Sequence, residues 1–482
     1  MSILHPPNRM PPAQITTFKS GLIGLLILLT GCSLLQPHHS ETALPDNPEK
    51  WDARAEINQP VSTGWLDNFS DKNLTNLIKE AIGNNFDLKL AAARVEAAQA
   101  NAKISGADRW PQISASLNAG RAKRNTVVGG NIISGISNNF QTGIEVSWEV
   151  DIWGKLSHQA RAAVLELAAS ESDFQAAKLS LAANIARQWF NSVEARQQVR
   201  LATETVDNYQ SSLTIIRENY RAGLNSALDV RLAKTNLATA QSQLAARQTQ
   251  LDAQLRALQI LLGSYPSAMI ETAQQLPSLD NRIPAGLPSE LLQRRPDLIA
   301  AEQRLLASDE RVSQAKKNRL PQIRLTTSGG SSTDEFKKLL DSDTLIWSIA
   351  GGLTAPLFQG GRLKANQELA MANANQALYQ YAQTVLNAFR EVETALAATP
   401  LLDKQQQALK TAVNEAQESE RLAAEQYRAG LVDIVTWLEA QRQLFTARSN
   451  LLQIQNQQLQ NRIDLHLALG GDFIQEDSDK NK

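Results

Sequence analysis

The chain is short of cysteine, aromatic residues and any surplus of charge, and each shortage narrows what it can be. One cysteine, Cys32, in 482 residues excludes an intrachain disulfide framework. Lys and Arg number 48 against 49 Asp and Glu, a net charge of −1. No basic surplus exists to hold a polyanion, which argues against nucleic acid as a partner. Aromatics make up only 5%, and Ala and Gln crowd the middle segments, a composition for extended helices rather than a thick core. Mean hydropathy is −0.30, which argues against a polytopic helical membrane protein. Neither a Gly-x-Ser-x-Gly elbow nor a phosphate-cradling Gly-Lys-Ser loop occurs. The five histidines (His5, His38, His39, His158, His466) are scattered, and His38-His39 has no companion at metal-site spacing. These absences predict no catalysis, no cofactor and no metal site, so any energy source sits in another protein.

What is present begins with a leader. Lys19 precedes an apolar run over residues 21–29, followed by Thr30, Gly31 and Cys32. A cationic start, a short apolar stretch and small residues before a cut describe a secretory signal. The run is too short for a spanning helix, which needs about 20 apolar residues. Leu29-Thr30-Gly31-Cys32 resembles the bacterial lipobox. That resemblance implies a signal over 1–31, cleavage before Cys32, acylation of Cys32 and a lipidated tether over 32–70. Ser33 follows the cysteine, where an Asp would imply retention at the inner membrane, so Ser33 favours the outer one. Translation starts at Met1 or Met10, and both stay open.

The rest of the chain repeats itself. Asp87-Leu88 matches Asp297-Leu298, and Arg109-Trp110-Pro111-Gln112-Ile113 matches Arg319-Leu320-Pro321-Gln322-Ile323, both at an offset of 210 (297 − 87). Further on the offset is 207 (427 − 220), where Tyr220-Arg221-Ala222-Gly223-Leu224 recurs as Tyr427-Arg428-Ala429-Gly430-Leu431. A collinear register with one small indel predicts a duplication, far longer than the period of a solenoid. The expected units are 71–265 and 297–470, joined by a proline-rich linker over 266–296 that packs as a belt, with a tail over 471–482.

Each unit has one plan. A helical stretch, 71–109 or 297–319, stops at a Trp-Pro or Leu-Pro step, because proline disfavours helix in the residue before it. A hairpin follows, over about 111–151 and 321–357. In 140–150, Phe140, Thr142, Ile144, Val146, Trp148 and Val150 alternate with polar residues that include Glu145, Glu149 and then Asp151. That is the length and alternation of a tilted membrane strand with a watery inner face. Ile113, Ala115, Leu117 and Ala119 alternate more weakly, and residues 125–139 read as a loop. In the second unit Ile323, Leu325 and Thr327 lead into a polar loop over 328–343, and Leu345, Trp347, Ile349, Leu353 and Leu357 share a face. Residues 155–222 then contain neither proline nor glycine and predict a helix of about 100 Å. Gly223 ends it in the usual left-handed way, and an antiparallel helix follows to 262. The second unit repeats this over 362–429, Gly430 and 431–469. Leu232, Leu237, Leu244, Leu251, Leu255, Leu258 and Leu262 form a packing stripe.

Two units offer four membrane strands. An open four-stranded sheet leaves unpaired edges in lipid, and single-chain barrels start at eight strands, so the chain must assemble. Physical reasoning alone gives more than one chain.

In the lipobox, the duplicated Arg-x-Pro-Gln-Ile runs, Asp151-Ile152-Trp153-Gly154, Pro356-Leu357-Phe358-Gln359-Gly360-Gly361 and the twin Tyr-Arg-Ala-Gly-Leu turns, the chain resembles the TolC family of outer-membrane efflux ducts, in its lipoprotein (NodT-type) branch. The match spans nearly everything after the signal. The resemblance implies a mainly α fold with membrane β: long antiparallel helices forming a periplasmic α-barrel, and four strands per protomer in a shared twelve-stranded barrel. It further implies a homotrimer in the outer membrane of a Gram-negative bacterium, anchored by lipid. Its partners would be a periplasmic adaptor (membrane fusion) protein and an inner-membrane pump of the RND type. Carried over, the adaptor-docking tip is Arg221, Gly223, Leu224, Arg428, Gly430 and Leu431. The gate would be Asp433 as an acidic ring and Leu431 as an apolar constriction, with Asp229 beside them. The competing reading is a structural envelope lipoprotein whose helical hairpins serve as a scaffold, which needs no alternating strands. The cargo cannot be read.

Overall fold

The computed structural model describes residues 48, 50–53, 64–279 and 288–471. Cys32, the signal over 1–31, most of the tether, part of the linker and the tail from 472 lie outside the described residues. The described residues all belong to one unit, Pro45–Lys482.

Its elements in chain order are α1 (Lys72–Asn84), α2 (Phe86–Ala107), β1 (Gln112–Val128), β2 (Asn131–Val150), α3 (Lys155–Arg221), α4 (Ala227–Leu261), α5 (Pro288–Arg294), α6 (Pro296–Lys317), β3 (Gln322–Thr333), β4 (Leu345–Thr354), α7 (Arg362–Arg428) and α8 (Ile434–Ala468). The duplication is visible directly: α2-β1-β2-α3-α4 repeats as α6-β3-β4-α7-α8. The helices α3 and α7 each run 67 residues, about 100 Å.

Three expectations need correction. The helical stretch 71–109 is two helices, because Asn85 takes an extended conformation between them. Its side chain accepts from Leu88 N at 2.9 Å and donates to Leu261 O at 2.9 Å, so it caps α2 while tying the break to the end of α4. Residues 125–139 are strand rather than loop: pairing continues to Val128↔Asn131. Only Gly129 and Gly130 turn, with φ of 60° and 84°, the left-handed pair that two-residue hairpins favour. The glycines and asparagines misled because composition outweighed alternation. In the second unit β3 runs on to Thr333 before two short 3-10 turns, and Leu357 lies beyond the end of β4.

The α3 helix organises the packing. Near the strands it lies between α2 and α6, and further along it contacts α4 and α8, while α7 packs on α6 and α8. Glycine at both starts is left-handed, Gly154 at φ 75° and Gly361 at φ 82°. Asp151 supplies the missing cap of α3, accepting from Leu156 N at 3.0 Å and Ser157 N at 2.8 Å, so strand end and helix start are joined. Pro400 sits inside α7 without ending it. It removes one backbone donor, and Asn461 of α8 reaches across to Ala395 O and Thr399 Oγ1, each at 3.0 Å.

The core is thickest at the middle of α3. Trp189, Phe190 and Ile185 are fully buried against Trp65, Phe69, Leu74 and Ile78, with Ile270, Ala273, Leu276 and Leu279 of the linker packed on them. The segment around Trp51 docks on α7: Trp51 meets Phe389 edge-on, and Asp52 N and Ala53 N both donate to Glu393 at 2.8 Å. A third cluster closes the far end, uniting Tyr209, Leu213, Ile216, Leu237, Tyr427, Ile434, Trp437 and Leu438.

Candidate functional site

The four strands form one antiparallel sheet in the order β1-β2-β3-β4. Register decides its chemistry. Directly paired residues share a face, so Ala115, Ile144, Gly329 and Trp347 stand in one row, as do Ile113, Val146, Thr327 and Ile349. This face also carries Leu117, Trp148, Leu325 and Leu353. The opposite face carries Ser114, Glu145, Ser328 and Ser348 in one row, with Glu149, Arg324 and Gln141 above and below. Ile349 is 77% exposed, Trp347 74% and Ile113 73%. Soluble monomers rarely leave so broad an apolar face open to water, and such a face marks a membrane or partner surface. From Trp148 to Phe140 the apolar row rises eight residues (148 − 140), about 27 Å along the strand. At a membrane-strand tilt that is about 20 Å of height, close to the band of a spanning barrel. No helix among the described residues is long and apolar enough to cross a membrane. Its two edges, β1 and β4, have no partner strand among the described residues.

At the other end of α3 and α7 lie the two turns. Gly223 (φ 77°) and Gly430 (φ 70°) are left-handed, and a Cβ on either would meet nothing within 4 Å. The turns end their helices alike: Leu224 N donates to Asn219 O and Leu431 N to Gln426 O, each at 2.9 Å. Arg221, Leu224, Arg428 and Leu431 are all exposed, the two leucines at 77% and 75%.

Both acidic residues after the turns take part in capping a helix. Ser226 caps α4, accepting from Asp229 N at 3.2 Å while Ser226 N donates to Asp229 Oδ2 at 2.7 Å, a reciprocal capping box. Asp433 caps α8, accepting from Thr436 N at 2.8 Å and Thr436 Oγ1 at 2.7 Å. Those bonds hold the Asp433 carboxyl below the usual carboxylate range. The Ser-x-x-Asp run was readable as a capping signature and was missed. Asn225 and Trp437 were missed too. Asn225 Nδ2 donates to Tyr427 Oη at 2.9 Å, and Trp437 stacks on the Tyr427 ring at 5.1 Å. The two turns are therefore bonded to each other within one chain. Nothing local in sequence announces a contact across 202 residues.

Of the histidines, His466 is fully buried, stacked on Trp65 at 5.3 Å. Burial, with help from Arg462, pushes its pKa down to about 3. His158 pairs with Glu310 where α3 meets α6. No group of three or more metal-ligating side chains occurs among the described residues.

A sheet apolar on one side and polar on the other, carried by a duplicated pair of long helical hairpins, defines a protomer of an outer-membrane duct. The pattern of the family described as "Outer membrane efflux protein" matches residues 77–264 and 287–471, and the chain belongs to that family. It is 31% identical to the cation efflux system protein CusC of Escherichia coli O6:H1, over 97% of this chain and 100% of that protein. It is 33% identical to the pyoverdine export outer membrane protein OpmQ of Pseudomonas putida, over 93% and 96%. The solved outer-membrane channel OprN matches at a TM-score of 0.83 and 26% identity, over 91% of this chain and 99% of the other. The chain is an outer-membrane channel component of an efflux system in a Gram-negative bacterium.

Proposed function

We propose that three copies of the chain form a passive gated conduit, closing a twelve-stranded barrel from β1 to the next protomer's β4. A periplasmic adaptor and an inner-membrane pump of the RND type deliver solute to it. The observation that carries this reading is the two-faced sheet with two open edges, which lipid tolerates only when closed. A scaffold would need no such sheet. Cys32 carries the lipid anchor. Arg221, Gly223, Leu224, Arg428, Gly430 and Leu431 make the adaptor-docking tip, supported by their exposure at the turns. Asp433 and Leu431, with Asp229 beside them, narrow the aperture, and the chain itself performs no catalysis. Cargo selection lies with the pump, since relatives named for cations and for pyoverdine share this architecture.

Purified trimers in planar bilayers should conduct ions in discrete steps, and intact trimers that never conduct would sink the duct. Gly223→Asp and Gly430→Asp should each lower export while leaving membrane assembly intact. Unchanged export of a pump substrate in both variants would remove the docking role.

A further inference from the structure

The two membrane hairpins differ above the apolar band. β2 pairs with β3 only as far as Phe140↔Thr333, whereas β1–β2 pairing continues from Gly120↔Asn139 to Val128↔Asn131. The first hairpin thus projects nine residue pairs, about 30 Å, past its neighbour. Phe140 meets Phe336 edge-on at 5.5 Å, an aromatic contact of the kind that marks a membrane interface.

On the apolar side, the row after Ala119–Phe140 is Arg121 opposite Asn138, and the next is Lys123 opposite Ile136. Arg124 falls on the other face, opposite Gly135. From Gln112 to Ile144 the chain has no Asp or Glu. Arg121 and Lys123 are exposed and form no ion pair with any described residue. Arg121 stands about 7 Å along the strand above the Phe140 level and Lys123 about 14 Å. A headgroup layer is about 5–8 Å thick on each side of the hydrocarbon. Arg121 therefore enters it, and Lys123 reaches back into it by snorkelling.

We propose that Arg121 and Lys123 bind the phosphates of lipid headgroups in the outer leaflet, six cations around the trimer. This rests on reading the apolar face as lipid-facing. Guanidinium–phosphate pairs are short and bidentate, and the stretch from Gln112 to Ile144 holds no Asp or Glu to compete. The other source of negative charge nearby is the β3–β4 loop of an adjacent copy, with Asp334, Glu335, Asp341 and Asp343. In that loop Lys338 already bridges Glu335 at 2.7 Å, and Asp334 and Asp341 act on the same ammonium. The Lys338 bridge withdraws one of the four loop acids, whereas the headgroup layer places phosphates at the height of Arg121 itself, which favours the lipid.

The test uses full-length trimers in detergent, titrated with lipid A and followed by native mass spectrometry, with dephosphorylated lipid A as the comparison. Arg121→Ala/Lys123→Ala should weaken lipid A binding by about tenfold or more. Arg121→Lys/Lys123→Arg should keep it, and Arg124→Ala should leave it unchanged. Equal binding of the dephosphorylated lipid would overturn the proposal. So would an equal loss in Arg124→Ala, or unchanged lipid A binding in the double alanine variant; a drop in its trimer melting that Asp341→Asn/Asp343→Asn reproduces would then assign the two cations to the adjacent loop. Conductance of the wild-type trimer in a bilayer is read separately, so failure of the duct reading is told apart from failure of this one.

Discussion

The first helical turn and the second share the run Tyr-Arg-Ala-Gly-Leu, yet Tyr220 is 48% exposed whereas Tyr427 is buried beneath Trp437. The cause lies in the residues that follow. Trp437 of the second unit aligns with Val230 of the first, and Asn225 of the first aligns with Val432 of the second, at the offset of 207 (437 − 230). Only the second turn has an indole to cover its tyrosine, and only the first has an amide to receive the hydroxyl. The latch Tyr427–Asn225 can therefore form in one direction only. The caps have diverged as well: Ser226 with Asp229 in one turn, Asp433 with Thr436 in the other. Duplication supplied two copies of one backbone turn, and side chains outside the motif made them unequal. An identical local run fixes where the helix stops, while its neighbours decide what the turn can hold.

The glycines sharpen that division most strongly. Gly223 and Gly430 face open space, but their relatives at the ends of α4 and α8 do not. A Cβ on Gly263 would stand 2.7 Å from Asn84 O, and one on Gly470 3.0 Å from Arg295 Cγ. All four are left-handed, so alanine costs each about 1 kcal/mol. At Gly263 the backbone of α1 must also move, raising the cost to about 3 kcal/mol. Around Gly470 the nearest atoms, Arg295 Cγ and the backbone of Arg294 and Arg295, stand at 3.0 to 3.2 Å, less tight than at Gly263, so Gly470→Ala should fall between. Thermal midpoints of the purified trimers should drop in the order Gly263→Ala, Gly470→Ala, then Gly223→Ala and Gly430→Ala together. A tip variant melting below Gly263→Ala would show that the turns, not the midpoint packing, limit stability.

A second contrast is chemical. His466 occupies the position that Gln259 holds in the first unit (466 − 207). Both are buried, but only His466 titrates. Its pKa lies near 3 in the folded chain, below the ordinary 6.5. Protonation therefore favours unfolding: the stability is fully present above pH 6.5 and is lost as pH falls toward 3. The loss is about 1.4 kcal/mol for each pH unit below 6.5. Melting followed from pH 7 to pH 4 should show a steeper fall in wild type than in His466→Gln, which borrows the first unit's residue. Parallel curves would mean that His466 takes up its proton in the folded chain through local opening, at its ordinary pKa.

What could be read in the chain beforehand follows the range of the forces involved. The repeat, the two uninterrupted helices and the alternation in 140–150 are properties of neighbouring residues, and each appears where expected. The left-handed glycines were equally local. The break at Asn85 was missed because its cause, the hydrogen bond to Leu261 O, comes from 176 residues away. The long first hairpin was missed because glycine and asparagine in 129–139 suggest a loop until the partner strand supplies hydrogen bonds. The site divides in the same way. Exposed turn residues were found from the motif, whereas Asn225 and Trp437 acquire meaning only when two hairpins meet.

The smallest expected effect separates cap from gate. Asp433 and Ser226 occupy equivalent cap positions, but only Asp433 is charged, and its carboxylate is already used by Thr436 N and Oγ1. A charge held for capping need not serve the aperture. Asp433→Asn keeps the cap, because Asn and Asp serve alike there, and removes three charges from the trimer. Asp433→Ser/Thr436→Asp instead rebuilds the first unit's capping box in the second and moves the carboxylate one helical turn on. Both variants should melt within about 2 °C of wild type. If the carboxylates face one another across the aperture, divalent cations should block the wild-type channel at lower concentration than either variant. Identical block in all three would leave Asp433 as a helix cap alone, and the asymmetry of the two turns would then rest on Tyr427 and Asn225.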